Sequence, residues 1–463
     1  MVLNRLENIL YCSEGRRNTM KKVLIANRGE IAHRIIKTCH TMNIQTVAVH
    51  STADENLPYV KAATVAYEIG EPPVQKSYLN IERLLEIAHQ ENVDAIHPGY
   101  GFLSENSTFA KRVEEEGFVF IGPSPKVIAD MGDKVRARKI MKEAGVPVVP
   151  GSEGAVADIE EACEIAQAIG YPVMLKASGG GGGIGMVRCD DEKSLRTTYE
   201  STKARAKAYF GHEEVFIEKL ITDARHIEVQ IFGDQLGNAV HLFERDCSVQ
   251  RRNQKMIEEA PATSLSIDTK QRMYETAVAA AKAVQYYNAG TIEFIVDAQE
   301  NFYFLEMNTR LQVEHPITEQ VTGLDLVKWQ LLVARGDALP LQQEEVQLTN
   351  HAVEFRVYAE DPVTFLPAPG QITQFSLPER SYVRVDAGYD SGDKVTPFYD
   401  PMIAKVIVTG RTRENAIELA KAYFTEASIE GVKTNLPLFK QLLNAEQYVA
   451  GKYNTAVLTE VLK

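Results

Sequence analysis

"TIEFIVDAQENFYFLEMN", residues 291–308, reads as two apolar, β-forming runs folded back on each other about a polar turn. With residues 298–301 as the turn, symmetric pairing sets residue 293 opposite residue 306, and both are glutamates. Like charges directly opposite on a hairpin repel. A cation between them removes the conflict, and hard carboxylate oxygens suit Mg2+ (or Mn2+) carried on nucleotide phosphates. Asn308, two residues on and on the same strand face, offers a third oxygen. One exposed glutamate would read as the wet face of a strand; two in register make Glu293, Glu306 and Asn308 candidate metal ligands.

Beyond the hairpin, "EMNTRLQVEHP" (306–316) alternates Glu306, Asn308, Arg310, Gln312 and Glu314 with Met307, Thr309, Leu311 and Val313. A period-two polar row is also what the solvated face of an edge strand looks like. This one mixes carboxylate, amide and guanidinium as a small-anion site does: Arg310 offers a planar fork and Glu314 a base. Upstream, "RHIEVQIFGDQLGNAVHLFERDCSVQRRNQK" (225–255) is antiparallel in style, two alternating runs about a turn bearing Gly and Asp. Its end, "SVQRRNQK", adds positive charge up to Lys255, and by itself could be a solvated basic patch. "HAVEFRVYAED" (351–361) and "MIAKVIVTG" (402–410) supply further strands, with a helix in "RENAIELAKAYF" (413–424).

"KASGGGGGIGMV" (176–187) sets Lys176 before a run of glycines that ends at Ile184. Its flanks are strand-like, which makes the run a hairpin tip inside one domain rather than a linker. Successive N–H groups there form a nest for an anion, and Lys176 adds a point charge for phosphate. The lysine precedes the glycines, which excludes an ordinary P-loop. Pro and Gly density in "AGVPVVPGSEG" (144–154) marks a hinge, so residues of about 148–220 are expected to form a small mobile lid.

"KKVLIANRGEIAHRIIKTCHTMNIQTVAVHS" (21–51) reads as strand, turn, helix, strand, a βαβ unit of a parallel sheet, and its "NRGE" turn lacks the dinucleotide fingerprint. "IERLLEIAHQENVDAIHPGYGFLSEN" (81–106) and "FVFIGPSP" (118–125) continue that sheet to about residue 133. Residues 1–19 have no signal-peptide core and are expected to be a poorly ordered extension or the product of an upstream start codon. A chain of 463 residues with 44% hydrophobic and 24% charged content should fold into about three domains. Net charge of −13 argues against a general affinity for nucleic acid or anionic membrane, and no apolar run spans a bilayer. The odd count of cysteines, Cys12, Cys39, Cys163, Cys189 and Cys247, without C-x-x-C spacing, suggests neither zinc nor disulfides and fits a reducing cytoplasm.

Taken in order, "ANRGEIA", "AIHPGYGFLSEN", "MGDK", "KASGGGGGIGM", "RHIEVQI", "ERDCSVQRRNQK", "EAPA", "EMNTRLQVEHP", "AVEFR" and "YDPMIAK" resemble the biotin carboxylase family of the ATP-grasp superfamily, from about Met20 to the C-terminus. The resemblance implies an α/β and α+β chain: an N-terminal parallel-sheet (pre-ATP-grasp) domain over 20–133, an ATP-grasp region with its glycine-rich lid over 134–335, and a mixed α+β C-terminal domain over 336–463. It implies an enzyme that uses MgATP and bicarbonate to make carboxyphosphate and then carboxylates biotin on a carrier protein. Matched motif by motif, the nucleotide would be held by Lys134, Lys176, Gly182, Gly183, the hinge residues Glu218, Lys219, Leu220 and Ile221, and by His226 and Gln250, with Glu293 and Glu306 on its metal. Bicarbonate would sit among Lys255, Arg310, Gln312, the backbone of Val313 and Glu314, the base. Arg356 would steady charge on the biotin ureido oxygen. His241 and His315 are expected to be structural.

Two residues depart from the family pattern: Ile184 where arginine commonly follows the glycines, and Asn253 where the family has histidine. Asn253 can still hydrogen-bond a ribose without carrying charge. Weaker ATP binding is the expectation, and a nucleotide Michaelis constant equal to that of Ile184→Arg would remove its basis. Two other readings compete: a different ATP-grasp ligase joining a carboxylate to an amine, and a nucleotide-binding regulator descended from an enzyme. The sequence has no "AMKM"-like biotin site, so the carrier and the carboxyltransferase are expected on other chains, and the resemblance implies a homodimer.

Overall fold

The computed structural model describes residues 20–177, 185–210 and 213–462; the extension 1–19, Gly182, Gly183 and Ile184 lie outside these. Near the N-terminus, β1 (Lys22–Ile25) runs parallel between β2 (Gln45–Ser51) and β4 (Ala95–His97), with β3 (Val65–Gly70) and β5 (Val119–Phe120) outermost. β2 and β4 are buried along nearly their whole length, as strands covered on both faces must be. The helices Ile81–Gln90 and Ser107–Glu115 start at asparagines: Asn80 accepts from Arg83 N at 3.1 Å and Asn106 from Phe109 N at 2.8 Å. Past the carboxyl ends of β1 and β4 the chain makes two loops, where open α/β sheets place ligands. Asn27 Nδ2 binds them together, donating to Pro98 O at 2.7 Å and Tyr100 O at 2.8 Å.

The second sheet is antiparallel. Its order is β13 (Phe302–Asn308), β12 (Asn288–Val296), β9 (Arg225–Gly233), β10 (Ala239–Arg251), β11 (Gln254–Ala260), β14 (His351–Tyr358), β19 (Met402–Gly410) and β17 (Val383–Ala387). On β9 the period of two is plain: Ile227, Val229 and Ile231 pack on Met273, Ala277 and Ala280 of the helix Ile267–Ala283. His226, Glu228 and Gln230 therefore face the other way. Each such buried aliphatic side chain contributes about 1.5–3 kcal/mol, which fixes the register of the polar face. β14 pairs with β11, so the sheet runs across residue 335, where the sequence reading began a C-terminal domain. Short ribbons, β15 (Gly370–Gln371) with β18 (Lys394–Val395) and β16 (Gln374–Ser376) with β20 (Ser428–Glu430), flank its far end.

The hairpin of β12 and β13 sets Glu293 opposite Glu306, but by a route the sequence did not show. Asp297 N donates to Asn301 O at 2.9 Å, and Asp297 Oδ1 accepts from Gln299 N and Asn301 N at 2.9 and 2.8 Å. The turn is thus one residue shorter than expected. Phe294 then opposes Phe304, and a bulge at Leu305 returns Glu306 to face Glu293. The polar row is also not one strand. β13 ends at Asn308, a loop follows, and Glu314 stands immediately before the helix His315–Thr322 without capping it.

Between the two sheets in sequence lies a small unit with its own core. β6 (Val173–Ala177) pairs with β7 (Met186–Cys189) and β8 (Val215–Lys219), backed by the helices Ile159–Ile169 and Glu192–Phe210. Leu175, Ile217, Ala166, Leu195 and Tyr199 fill its interior. Lys176 stands opposite Met186, so the glycine run does join two paired strands. Among the described residues, no helix is long and apolar enough to cross a membrane, and Cys39, Cys163, Cys189 and Cys247 are buried free thiols.

Candidate active site

A cavity of about 740 Å³ opens between the small three-stranded unit and the polar face of the large sheet. Every described candidate residue lines it, from Lys134 and Lys176 at one end to Glu314 and Arg356 at the other. His241 and His315 do not. His241 stacks on Tyr274, ring centres 4.2 Å apart, and the buried His315 turns Nδ1 to Gln312 O at 2.7 Å.

At the centre stands Lys255, whose Nζ meets Glu228 Oε2 at 2.6 Å, Glu293 Oε1 at 2.8 Å and Glu314 Oε1 at 2.6 Å. Burial alone would lower its pKa, but the three carboxylates raise it well above the usual lysine range. Glu314 answers in kind: burial would raise it, yet Lys255, Arg356 and Arg245 hold it far below the usual carboxylate value. Its other oxygen accepts from Arg356 Nη2 at 2.9 Å. Arg356 Nε lies 2.6 Å from Glu258 Oε1 on the neighbouring strand. Glu258, in turn opposite Glu354, is pushed up to about 7, chiefly by burial.

The metal candidates are less simple than the sequence suggested. Glu293 Oε1 also accepts from Gln312 Nε2 and Asn308 Nδ2, both at 2.8 Å, and His226 Nε2 lies 2.8 Å from Oε2. Asn308 turns its oxygen to Arg310 Nη2 at 2.9 Å, not to the glutamates, because its amide N–H donates to the Glu293 carboxylate and leaves the carbonyl to accept from the guanidinium. Glu293 is held ionised by Lys255 and His226 against its burial. Glu306 is pushed upward, by burial first and the facing Glu293 second. Two opposed carboxyls, one struggling to ionise, are a donor set a hard dication fits.

At the Lys134 end of the cavity, that residue begins the helix Lys134–Glu143, capped by Asp133, which accepts from Val135 N and Arg136 N at 3.0 Å. Lys176 pairs with Glu218, whose other oxygen takes Arg138 Nη1 at 3.2 Å. Lys219 sends its ammonium away from the cavity to Gly170 O and Tyr171 O, at 2.9 and 3.0 Å, so only its backbone remains for a ligand. Leu220 and Ile221 follow on the rim. Gln250 Nε2 sits 2.6 Å from His226 Nδ1. Asn253 occupies a two-residue turn between β10 and β11 with φ of 66°, after Arg252 at 51°, a backbone that asparagine adopts readily.

Arg310 Nε donates to Glu105 Oε2 at 2.8 Å, and the Val313 carbonyl accepts from Lys405 Nζ at 2.9 Å. Glu105, Glu228, Arg245 and Glu258 carry no motif that marks a role for them in the sequence. Arg245 is fully buried, pairs with Glu228, and donates to Gln230 Oε1 and Gln312 Oε1 at 2.6 Å, Thr318 Oγ1 at 2.9 Å and Thr291 Oγ1 at 3.1 Å. The alternation in "RHIEVQI" was the available signal: it places Glu228 beside His226 on the polar face.

Comparison with known proteins agrees with this layout. Residues 19–128 match the biotin carboxylase N-terminal domain, 133–342 the carbamoyl-phosphate synthase L chain ATP-binding domain, and 354–460 the biotin carboxylase C-terminal domain. The chain is 58% identical over 441 residues to biotin carboxylase 2 of Bacillus subtilis (strain 168), covering 95% of this chain and 99% of that one. A biotin carboxylase–β-γ-ATP complex from Campylobacter jejuni superposes with a TM-score of 0.92 at 44% identity, covering 95% of this chain and 98% of that one. The biotin carboxylase domain dimer of Hydrogenobacter thermophilus 2-oxoglutarate carboxylase, in complex with MgADP, ADP and bicarbonate, superposes at 0.91 and 46%, covering 96% and 98%.

Proposed function

This chain belongs to the biotin carboxylase family, and from that premise we propose a division of labour within its cavity. The enzyme is an ATP-dependent ligase that carboxylates biotin, forming a C–N bond, with bicarbonate as the carbon source. Lys134, Lys176, the glycines Gly182 and Gly183, the segment Glu218–Ile221, His226, Gln250 and Asn253 bind the nucleotide. Glu293 and Glu306, with Asn308 beside them, hold the magnesium of MgATP, which neutralises phosphate charge during transfer. Bicarbonate lies among Lys255, Arg310, Gln312, the Val313 N–H and Glu314.

Glu314 takes the bicarbonate proton, a carbonate oxygen attacks the γ-phosphorus, and ADP departs to leave carboxyphosphate. A carboxylate held so strongly ionised is a weak base in the empty site. An entering anion competes for Lys255, which loosens that hold and raises the proton affinity of Glu314 as its substrate arrives. Arg356 then faces the ureido oxygen of biotin as negative charge grows there. What supports this reading is the hub at Lys255, within 2.8 Å of both Glu293 and Glu314, which joins the phosphate end of the cavity to the anion end.

The biotin is carried by a separate biotin carboxyl carrier protein, and a carboxyltransferase on another chain passes the carboxyl group on, making this the first half-reaction of an acetyl-CoA or other acyl-CoA carboxylase. The active form is a cytoplasmic homodimer; the dimer of the Hydrogenobacter domain and the buried free thiols support this. ATP turnover by the purified chain should depend on bicarbonate and rise with free biotin. Turnover that follows an amine or amino acid instead assigns the chain to carboxylate–amine ligation.

A further inference from the structure

Arg310, Gln312 and Glu314 ride on a loop between β13 and the following helix, outside any ladder of backbone hydrogen bonds. Residues that must meet a small anion within tenths of an ångström need other supports. The middle of the loop is held by Arg245 on Gln312. Both ends are held from elsewhere in the chain. At the start, Glu105 Oε1 accepts from Thr309 N at 3.1 Å while its Oε2 accepts from Arg310 Nε at 2.8 Å. At the end, Val313 O accepts from Lys405 Nζ at 2.9 Å, and that wholly buried ammonium sits 3.1 Å from Glu30 Oε2.

Glu105 and Glu30 both come from the N-terminal parallel sheet, beyond the ends of β4 and β1. Tyr100 donates its hydroxyl to Glu30, linking the two segments. The C-terminal region reaches Glu30 just as closely: a Cβ on Gly388 would lie 2.7 Å from Glu30 N, so only glycine admits that approach. The stretches "ANRGEIA" and "HPGYGFLSEN" thereby meet the anion loop at opposite ends, although neither contributes Glu30 or Glu105 to the assigned chemistry.

We propose that the N-terminal domain sets the bicarbonate site: Glu105 is a positioning residue for Arg310, and Glu30, acting through Lys405, is one for Val313 and Glu314. The proposal rests on the functional reading above. A mere domain adhesive would lower stability or disturb ATP and bicarbonate alike; a brace on this loop moves bicarbonate alone. Glu105 is 40% exposed, so its replacement opens no buried hole.

Steady-state kinetics with each substrate varied tests it. Glu105→Ala should raise the KM for bicarbonate about tenfold, and Glu105→Gln, which keeps an acceptor for Thr309 N–H, about threefold. Lys405→Met should raise it as well. The KM for ATP should stay within about twofold and the melting temperature of the Glu105 variants should not move. An unmoved bicarbonate KM in Glu105→Ala, or equal rises for both substrates, overturns the brace while wild-type turnover still depends on bicarbonate. A wild-type turnover indifferent to bicarbonate overturns the functional reading itself.

Discussion

At the anion end of the cavity, Arg245 and Arg356 are buried against carboxylates and Lys255 is 12% exposed among three of them, whereas at the nucleotide end Lys134 is exposed and Lys176 has the single partner Glu218. The first region is largely buried by the fold. Its charges are already oriented, so an arriving bicarbonate meets dipoles that need not reorganise. The second is sparser in charge: Lys176 and Arg138 share the single carboxylate Glu218, and Lys134 stands in solvent. One end is prepared by the fold and the other is completed by its ligand.

Three experiments can break or sharpen that contrast, and a fourth probes the fold outside it. Glu314→Gln should lower bicarbonate-dependent turnover by about 10²–10⁴-fold while the nucleotide Kd, read by calorimetry, stays within about twofold. A variant that lost nucleotide binding too would erase the distinction between the ends. Arg245→Met leaves Glu228 buried with one cation fewer, and urea unfolding should register a loss of about 3–5 kcal/mol. Lys176→Met should raise the KM for ATP about tenfold with stability changed by less than about 1 kcal/mol, the opposite signature.

The smallest effect lies outside both ends. Burial pushes His241 down to about 4, so between pH 6.5 and 4 the unfolded chain takes up a proton that the fold refuses. Wild type should therefore lose stability relative to His241→Gln as pH falls from 7 to 5.5, by about 1 kcal/mol, with the difference between the two proteins constant above pH 7. His97, pushed down to about 3 by burial beside Gln330, adds the same sign in the N-terminal sheet and is common to both proteins.

Much of the site was legible because it is written in periods of two. Hairpin symmetry anticipates the facing of Glu293 and Glu306, although a shorter turn and a compensating bulge produce it, and the polar set His226, Glu228 and Gln230 alternates with the aliphatic residues that anchor β9. The bulge at Leu305 was not legible, since an extra residue changes register without changing composition. Nor was the end of β13: Thr309 continues the alternation, but its N–H goes to Glu105, 204 residues away in sequence. Arg245 escaped for a related reason. A charge on a strand reads as solvated until its five partners, scattered from Glu228 to Thr318, are brought around it.

The pairing of β11 with β14 has a consequence for anyone dividing this chain. Cutting near residue 335 would sever a sheet through its middle and leave each fragment with an open row of amide and carbonyl groups, on β14 flanked by side chains buried at every position. Such raw edges recruit other strands. Halves expressed apart should clump unless they meet each other first, so shuffling of modules among homologous enzymes has to keep β11 and β14 together.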